Sequence, residues 1–223
     1  MEKDKKEEEN IGDKIAGFLH RNRKAFFVLL IIIAGGVVSS AAFFSIRGVL
    51  EKKAIAKVEI LERRKNELGS ISESADSTEV ELLLKEINDF TPSAFGYAAA
   101  RAYSLEADIY FSRSEWNKAE ETWILAAKKA PKIYLAPVSL FNAAVAAEEQ
   151  GKLETALDYF NQSLEFGGVN PSASRARFNI GRIHEERHDK EKAREAYREL
   201  IEKNPNSPWA NLAQNRLIIL ENN

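Results

Sequence analysis

Small and aromatic residues recur along the second half of the chain with a period of 37 residues. Three small residues, three alanines and three aromatic residues mark this period: Ala107, Ala144 and Gly181; Ala119, Ala156 and Ala193; Trp123, Phe160 and Tyr197. Between these positions, apolar residues follow the three- and four-residue spacing of amphipathic helices. Self-similarity at a fixed period of about 20–50 residues is typical of stacked repeat arrays. The pattern therefore predicts an all-α fold of stacked helical hairpins.

A second pattern is an apolar run of 22 residues, 25–46, that contains no charged residue. A helix needs about 20 such residues to cross a bilayer. A cleaved signal peptide is the alternative, because Ser39 and Ala41 could form a small-residue cleavage site. The run, however, is longer than the ~7–15 residues of a signal-peptide core and continues past both residues. We therefore predict a single uncleaved transmembrane helix.

These patterns divide the chain into segments. We predict a charged cytoplasmic tail at 1–24, the transmembrane helix at 25–46, a juxtamembrane helix with a Ser-rich linker at 47–78, and a repeat domain at 79–223. Within this domain, the predicted hairpins cover about 100–133, 137–170 and 174–207, and a C-terminal capping helix covers 208–221. Ser207 followed by Pro208 is a typical start for that last helix.

The juxtamembrane segment has a heptad spacing of apolar positions, formed by Ala54, Val58, Leu61, Lys65 and Leu68. Such a seam indicates either a dimeric coiled coil or a helix that packs against the following domain. The seam is only two heptads long and includes a lysine. These two features favour the packed helix.

The charged flanks of the apolar run predict its orientation. Residues 20–24 include three arginine or lysine residues and a histidine before the run, whereas Arg47 alone follows it closely. Short basic flanks stay in the cytoplasm, while long domains are translocated largely regardless of charge. We therefore expect a cytoplasmic N-terminus and an extracytoplasmic repeat domain.

Composition and charge exclude several classes of function. The formal net charge is −2, with basic and acidic residues interspersed, so the sequence has no basic stripe for nucleic acid. It has no cysteine, which excludes disulfides, thiol nucleophiles and cysteine metal sites. It also contains no Gly-rich phosphate loop and no G-x-S-x-G motif. We therefore expect no cofactor and no enzyme activity.

One motif favours an enzyme instead. Residues 184–188 read H-E-x-x-H, which on a helix places two imidazoles on one face as zinc ligands, with a glutamate as base. The repeat register argues against this zinc hydrolase hypothesis, because His188 stands one period after Gly151, where a turn is expected. A helix that ends near His188 does not hold His184 and His188 in ligand geometry. We therefore predict no metal site.

The recurring residues resemble those of the tetratricopeptide repeat (TPR) family. In the first repeat the resemblance rests on Ala107, Tyr110, Ala119, Trp123, Ala126 and Pro131, and in the third on Gly181, Ala193, Tyr197 and Pro205. The middle repeat departs from the family pattern at Ala147 and Gly168. The resemblance implies a TPR-like α-solenoid that binds protein or extended peptide partners on its concave face.

In this family the first helix of each hairpin lines the concave face. Projecting the register predicts the partner-binding residues Arg101, Asp108, Phe111, Phe141, Asn142, Val145, Arg175, Phe178, Asn179 and Arg182. Phe141 and Phe178 occupy equivalent positions in successive repeats, and aromatic residues flanked by amides favour an extended peptide. The alternative is that both rings pack against neighbouring layers.

The layout of the whole chain, with a charged tail, one span and an exported repeat domain, resembles the single-span YfgM-like ancillary subunits of the bacterial Sec translocon. This resemblance implies a chaperone-like scaffold or adaptor in the bacterial inner membrane, with a periplasmic repeat domain near the Sec translocon or a periplasmic chaperone. An envelope-assembly or division scaffold of the same fold is the alternative. The sequence leaves a homo-oligomer open.

Overall fold

The structure, a computed structural model, describes residues 12, 14–68, 77–166 and 170–222. Among these residues it contains helices, turns and no strand, which confirms the all-α prediction. The long helices are α1 (Arg23–Glu67), α2 (Ser77–Phe90), α3 (Gly96–Ser112), α4 (Trp116–Lys129), α5 (Leu135–Glu149), α6 (Leu153–Leu164), α7 (Ala173–Glu186), α8 (Lys190–Lys203) and α9 (Pro208–Glu221). Residues 69–76 of the predicted linker, residues 1–11 of the predicted tail, and Gly168 lie outside the described residues.

The chain forms two compact units, Met1–Lys52 and Lys53–Asn223. The apolar run and residues 47–67 form one continuous helix, α1, of 45 residues. By length and composition α1 could cross a membrane, and the side chains of its apolar part are exposed. Residues 53–67 of α1 belong to the same compact unit as the repeats. The limits of the four segments given above stay a prediction.

The C-terminal part of α1 packs against the next two helices. Val58 and Leu61 are 2% and 0% exposed, and they share a core cluster with Leu83 and Ile87 of α2 and Leu105 of α3. The seam residues Ala54 and Leu68 pack against the same cluster. The apolar seam is therefore used inside the chain, as expected for a packed helix, and is not free to form a coiled coil.

Three helical hairpins follow: repeat 1 (α3 and α4), repeat 2 (α5 and α6) and repeat 3 (α7 and α8). In each repeat we call the first helix A and the second helix B. Adjacent helices pack along the chain, and in repeats 1 and 2 the small residue of helix A shares a core cluster with the aromatic residue of helix B. In repeat 3 the two helices approach closely, since a Cβ added to Gly181 would lie 2.5 Å from Cε1 of Tyr197. The predicted stack of hairpins is confirmed.

The turn between helices A and B has the same geometry in all three repeats. Its central residues, Ser114, Gly151 and His188, stand one period apart and have φ angles of +59°, +71° and +61°. The amide after each of them donates to the carbonyl five residues earlier, at 2.9 to 3.0 Å. This is the Schellman motif, which places a left-handed residue at the end of a helix. Glycine adopts this conformation freely, whereas serine and histidine are strained in it.

Substitutions at these turns are expected to change stability in opposite directions. Ser114→Gly and His188→Gly should each raise the free energy of unfolding by about 0.5–1 kcal/mol, because they relieve the left-handed strain. Gly151→Ala should lower it by about 1 kcal/mol through that strain alone, since an added Cβ would meet nothing within 4 Å. Urea unfolding followed by far-UV circular dichroism measures these changes.

A matched control is Asn161→Gly, at an exposed position inside α6. Glycine there should lower stability by roughly 0.5–1 kcal/mol. If all four substitutions shifted stability in the same direction, the repeated turn geometry would be contradicted.

Helix α9 closes the described part of the stack. The Ser207 hydroxyl accepts a hydrogen bond from the Trp209 amide at 3.2 Å, and Pro208 occupies the first turn, as predicted. Its inner face packs on helix B of repeat 3, where Ala213 and Leu220 join a cluster with Tyr197. A terminal capping helix is expected to have a polar outer face. The outer face of α9 differs from that expectation, because it carries large apolar side chains.

Candidate partner-binding groove

Stacked hairpins present their A helices along one extended concave face. The predicted binding residues therefore lie on α3, α5 and α7, and the structure shows which of them are open. Two of those in repeat 1, Arg101 and Asp108, are already engaged by α1. The Arg101 guanidinium Nε donates to the Glu62 carboxylate at 3.3 Å, and the Lys65 ammonium lies 2.9 Å from the Asp108 carboxylate. Arg101 and Asp108 of repeat 1 are therefore paired with α1 and are not available to a partner.

The predicted aromatic residues pack mainly against rings of their own repeats. Phe141 is only 3% exposed, and its ring lies 5.3 Å from that of Phe160 in the core of repeat 2. Phe178 is half-buried, with its ring 5.6 Å from that of Tyr197 and 5.2 Å from that of Trp209. Phe111 is also half-buried, and its ring packs on two tryptophan rings of α4. The buried ring of Phe141 thus supports the groove wall and leaves little surface for a partner.

The accessible part of the groove is formed by repeats 2 and 3. Asn142 and Val145 of α5 and Asn179 of α7 are half-buried, and Arg175 is exposed. Arg182 pairs with Glu148 of α5 and lies 3.7 Å from Glu186 of its own helix. Arg182 is thus paired within the chain. We call the other four residues, Asn142, Val145, Arg175 and Asn179, the open groove. It combines amides, one apolar side chain and one cation on adjacent A helices.

Arg175 is held by aromatic rings rather than by an acid. Its guanidinium carbon lies 5.0 Å from the centre of the Phe141 ring and 5.6 Å from that of the Trp209 ring. Both distances are within the range of cation–π contacts. Among the described residues no carboxylate forms an ion pair with Arg175. Its charge therefore stays available to a carboxylate or carbonyl group of a partner.

Two residues of α9 extend the same rows and were not predicted as site residues. Leu212 and Ile219 stand one period after Arg175 and Arg182, and each is 45% exposed. The signal was present in the sequence, because the 37-residue register continues through the last helix. A capping role, which is the prediction for α9, does not by itself indicate that these two positions extend the rows.

The H-E-x-x-H motif does not form a helical zinc site. His184 lies in α7, which ends at Glu186, and His188 follows in the left-handed turn. The zinc motif requires both imidazoles on one helix face. Burial lowers the pKa of His184. The described residues contain no group of three or more potential ligands that could hold a metal ion.

Antiparallel helical hairpins stacked at a constant period define the class of the protein as an α-helical repeat protein. Residues 105–168 and 141–208 match the model of the tetratricopeptide repeat family. Residues 105–208 therefore carry tetratricopeptide repeats. Repeats of this kind are typically non-enzymatic scaffolds for protein interactions.

A curated relative is the TPR repeat-containing protein of Treponema pallidum (strain Nichols), which is 38% identical over 130 residues. The match covers 58% of this chain and 54% of that protein, so the chain spans about half the length of the curated relative it matches.

Two solved structures are similar to the chain. The first TPR domain of Spaghetti (RPAP3), bound to the HSP90 peptide SRMEEVD, is 20% identical to this chain. The match covers 57% of this chain and 94% of that domain, with a TM-score of 0.47. BtubC (BKLC) from P. vanneervenii is 14% identical to this chain. The match covers 76% of this chain and 90% of BtubC, also with a TM-score of 0.47.

Proposed function

We propose that the chain is a membrane-anchored scaffold that binds protein or extended peptide partners in the open groove. The observation that carries the proposal is the availability of Arg175, Asn142 and Asn179 on adjacent A helices. Side-chain amides can pair with the backbone of an extended peptide, and the apolar surface beside them can take its side chains. No step of this function requires a cofactor or a catalytic group.

The anchoring part of the proposal rests on α1. Its apolar run has the length of a membrane span, and the basic residues before it favour a cytoplasmic N-terminus. The repeats then act outside the cytoplasm of a bacterial cell, where a partner at the Sec translocon or a periplasmic chaperone would be met. A bacterial relative supports this setting. An envelope-assembly or division scaffold would differ from this proposal only in its partner.

A photo-crosslinking amino acid placed in the open groove tests the proposal. It replaces Asn142 or Asn179 in the full-length chain, and in a matched control it replaces Asn161, an exposed asparagine on helix B of repeat 2. Irradiation of intact cells should give protein adducts from the two groove positions and none from the control. Mass spectrometry of the adducts then identifies the partner and distinguishes translocon, chaperone and division proteins.

Arg175→Glu should reduce the adduct yield at Asn179 by about tenfold, because a hydrogen bond to a charged group is worth about 1.5–3 kcal/mol. Equal yields from Asn161 and from the groove positions would mean that another face binds the partner. The absence of adducts at both groove positions would overturn the proposed function.

A further inference from the structure

The last helix continues the register of the A helices with one change. Leu217 and Leu220 stand one period after Ile180 and Ile183 of α7, and α9 packs on α8 and α7 as an A helix of a following repeat would. Ile218, however, stands where helices A carry the small residues Ala107, Ala144 and Gly181. A helix B cannot cross α9 at the same short distance, because a branched side chain occupies the crossing point. The outer face of α9 is therefore not suited to a further hairpin of this kind.

That outer face is apolar and uncharged. Leu212 and Ile219 form one edge, 45% exposed each, and Ile218 forms the other edge, 57% exposed. Asn211 and Asn215 lie between the two edges and are exposed. The helical period of 3.6 residues joins all five into one continuous surface, which we call the α9 face.

The α9 face contains no charged residue, in contrast to the exposed surface of the adjacent helix α8. Every exposed residue of α8 is charged: Lys190, Glu191, Lys192, Glu195, Arg198, Glu202 and Lys203. The two charged residues of α9, Arg216 and Glu221, pair with Glu185 and Arg198 of repeat 3. The charges of α9 are thus turned towards its own chain and leave the α9 face neutral.

Neutrality favours a second copy of the chain as the partner. In a two-fold contact the same patch of both copies meets, so any charged residue near the axis would lie against an identical charge. A neutral patch with apolar edges and central amides avoids this repulsion, and asparagine can both donate to and accept from its own copy. We propose that two chains associate through their α9 faces in a two-fold contact, with Asn215 close to the axis. The α9 face shares Leu212 and Ile219 with the rows that continue the groove, so the experiments below separate the two proposals.

Crosslinking with a short bismaleimide tests the contact without background, because the natural chain contains no cysteine. The probe is the full-length Asn215→Cys chain in intact cells, and the matched control is Asn161→Cys, also exposed on a helix. We expect a crosslinked dimer from the first and none from the second. Equal crosslinking at both positions, or none at Asn215→Cys, would overturn the proposal.

Charge variants at the same residue identify the symmetry. Asn215→Asp and Asn215→Lys, each expressed alone in two differently tagged copies, should reduce co-capture of the two tags about tenfold, because like charges meet at the axis. Co-expression of the Asp and Lys variants should restore it. Undiminished co-capture in both single variants would place the contact elsewhere and overturn the proposal. Groove adducts at Asn179 should persist in Asn215→Asp, which separates this result from a failure of partner binding.

Discussion

Replacement of Phe160 by alanine is expected to lower the free energy of unfolding of the repeat region by about 3–5 kcal/mol. The Phe160 ring is fully buried, and it fills the space between helix B of repeat 2 and the adjacent A helices. Its neighbours include Ala144, Ala147, Ala156 and Ala176. Alanine side chains are too short to move into the vacated volume, so the cavity would stay largely open.

Urea unfolding of the chain, followed by far-UV circular dichroism, measures this effect. Phe160→Leu keeps most of the volume and should cost less than about 1.5 kcal/mol. Leu125→Ala removes an exposed apolar side chain of α4 and should change stability by less than about 0.5 kcal/mol. A loss below 1 kcal/mol for Phe160→Ala would show that the packing of repeat 2 is not as described, judged against the ~3 kcal/mol minimum for such a cavity.

A second large loss of stability is expected from the addition of a single methyl group. Gly181→Ala would place a Cβ at 2.5, 2.7 and 2.8 Å from three ring carbons of Tyr197, a side chain with no exposed surface. A buried ring of this kind has little space to withdraw, so helices A and B of repeat 3 must separate. We expect a loss of about 1–3 kcal/mol, the usual cost of overpacking a core.

A double-mutant cycle tests the stated cause of that loss. In a Tyr197→Leu background, the added methyl group meets no ring, and Gly181→Ala should cost at least about 1 kcal/mol less than in the natural chain. The reverse substitution in repeat 2, Ala144→Gly, is the control and should cost about 1 kcal/mol through helix propensity alone. Additive effects of the two changes in repeat 3 would mean that the clash is not the origin of the loss.

The fold could be predicted from the sequence because each repeat uses the same few positions for packing. The spacing from Ala144 to Phe160 is the same as from Ala107 to Trp123, and buried positions of this kind are set by geometry rather than by partner. The start of α9 was predictable as well, since Ser207 and Pro208 act locally. Local chemistry and a constant period are both present in one sequence.

The site was predicted less completely, for two physical reasons. Helix α5 is rich in alanine and other apolar residues over its whole circumference, so its sequence does not distinguish the buried Phe141 from an exposed groove residue. The engagement of repeat 1 depends on ion pairs between residues far apart in the chain, 39 residues for Glu62 and Arg101 and 43 for Lys65 and Asp108. Neither helix carries a local signal for such a pairing.

The rings around Arg175 have a consequence for the cost of binding. An ordered arginine side chain gives up to about 2 kcal/mol of rotamer freedom, and a partner usually bears that loss when it binds. Phe141 and Trp209 contact the guanidinium in the absence of a partner. The side chain has therefore already lost this rotamer entropy on folding. Contacts with rings also depend less on ionic strength than exposed ion pairs do. Arg175 is thus a cation preorganised by two rings.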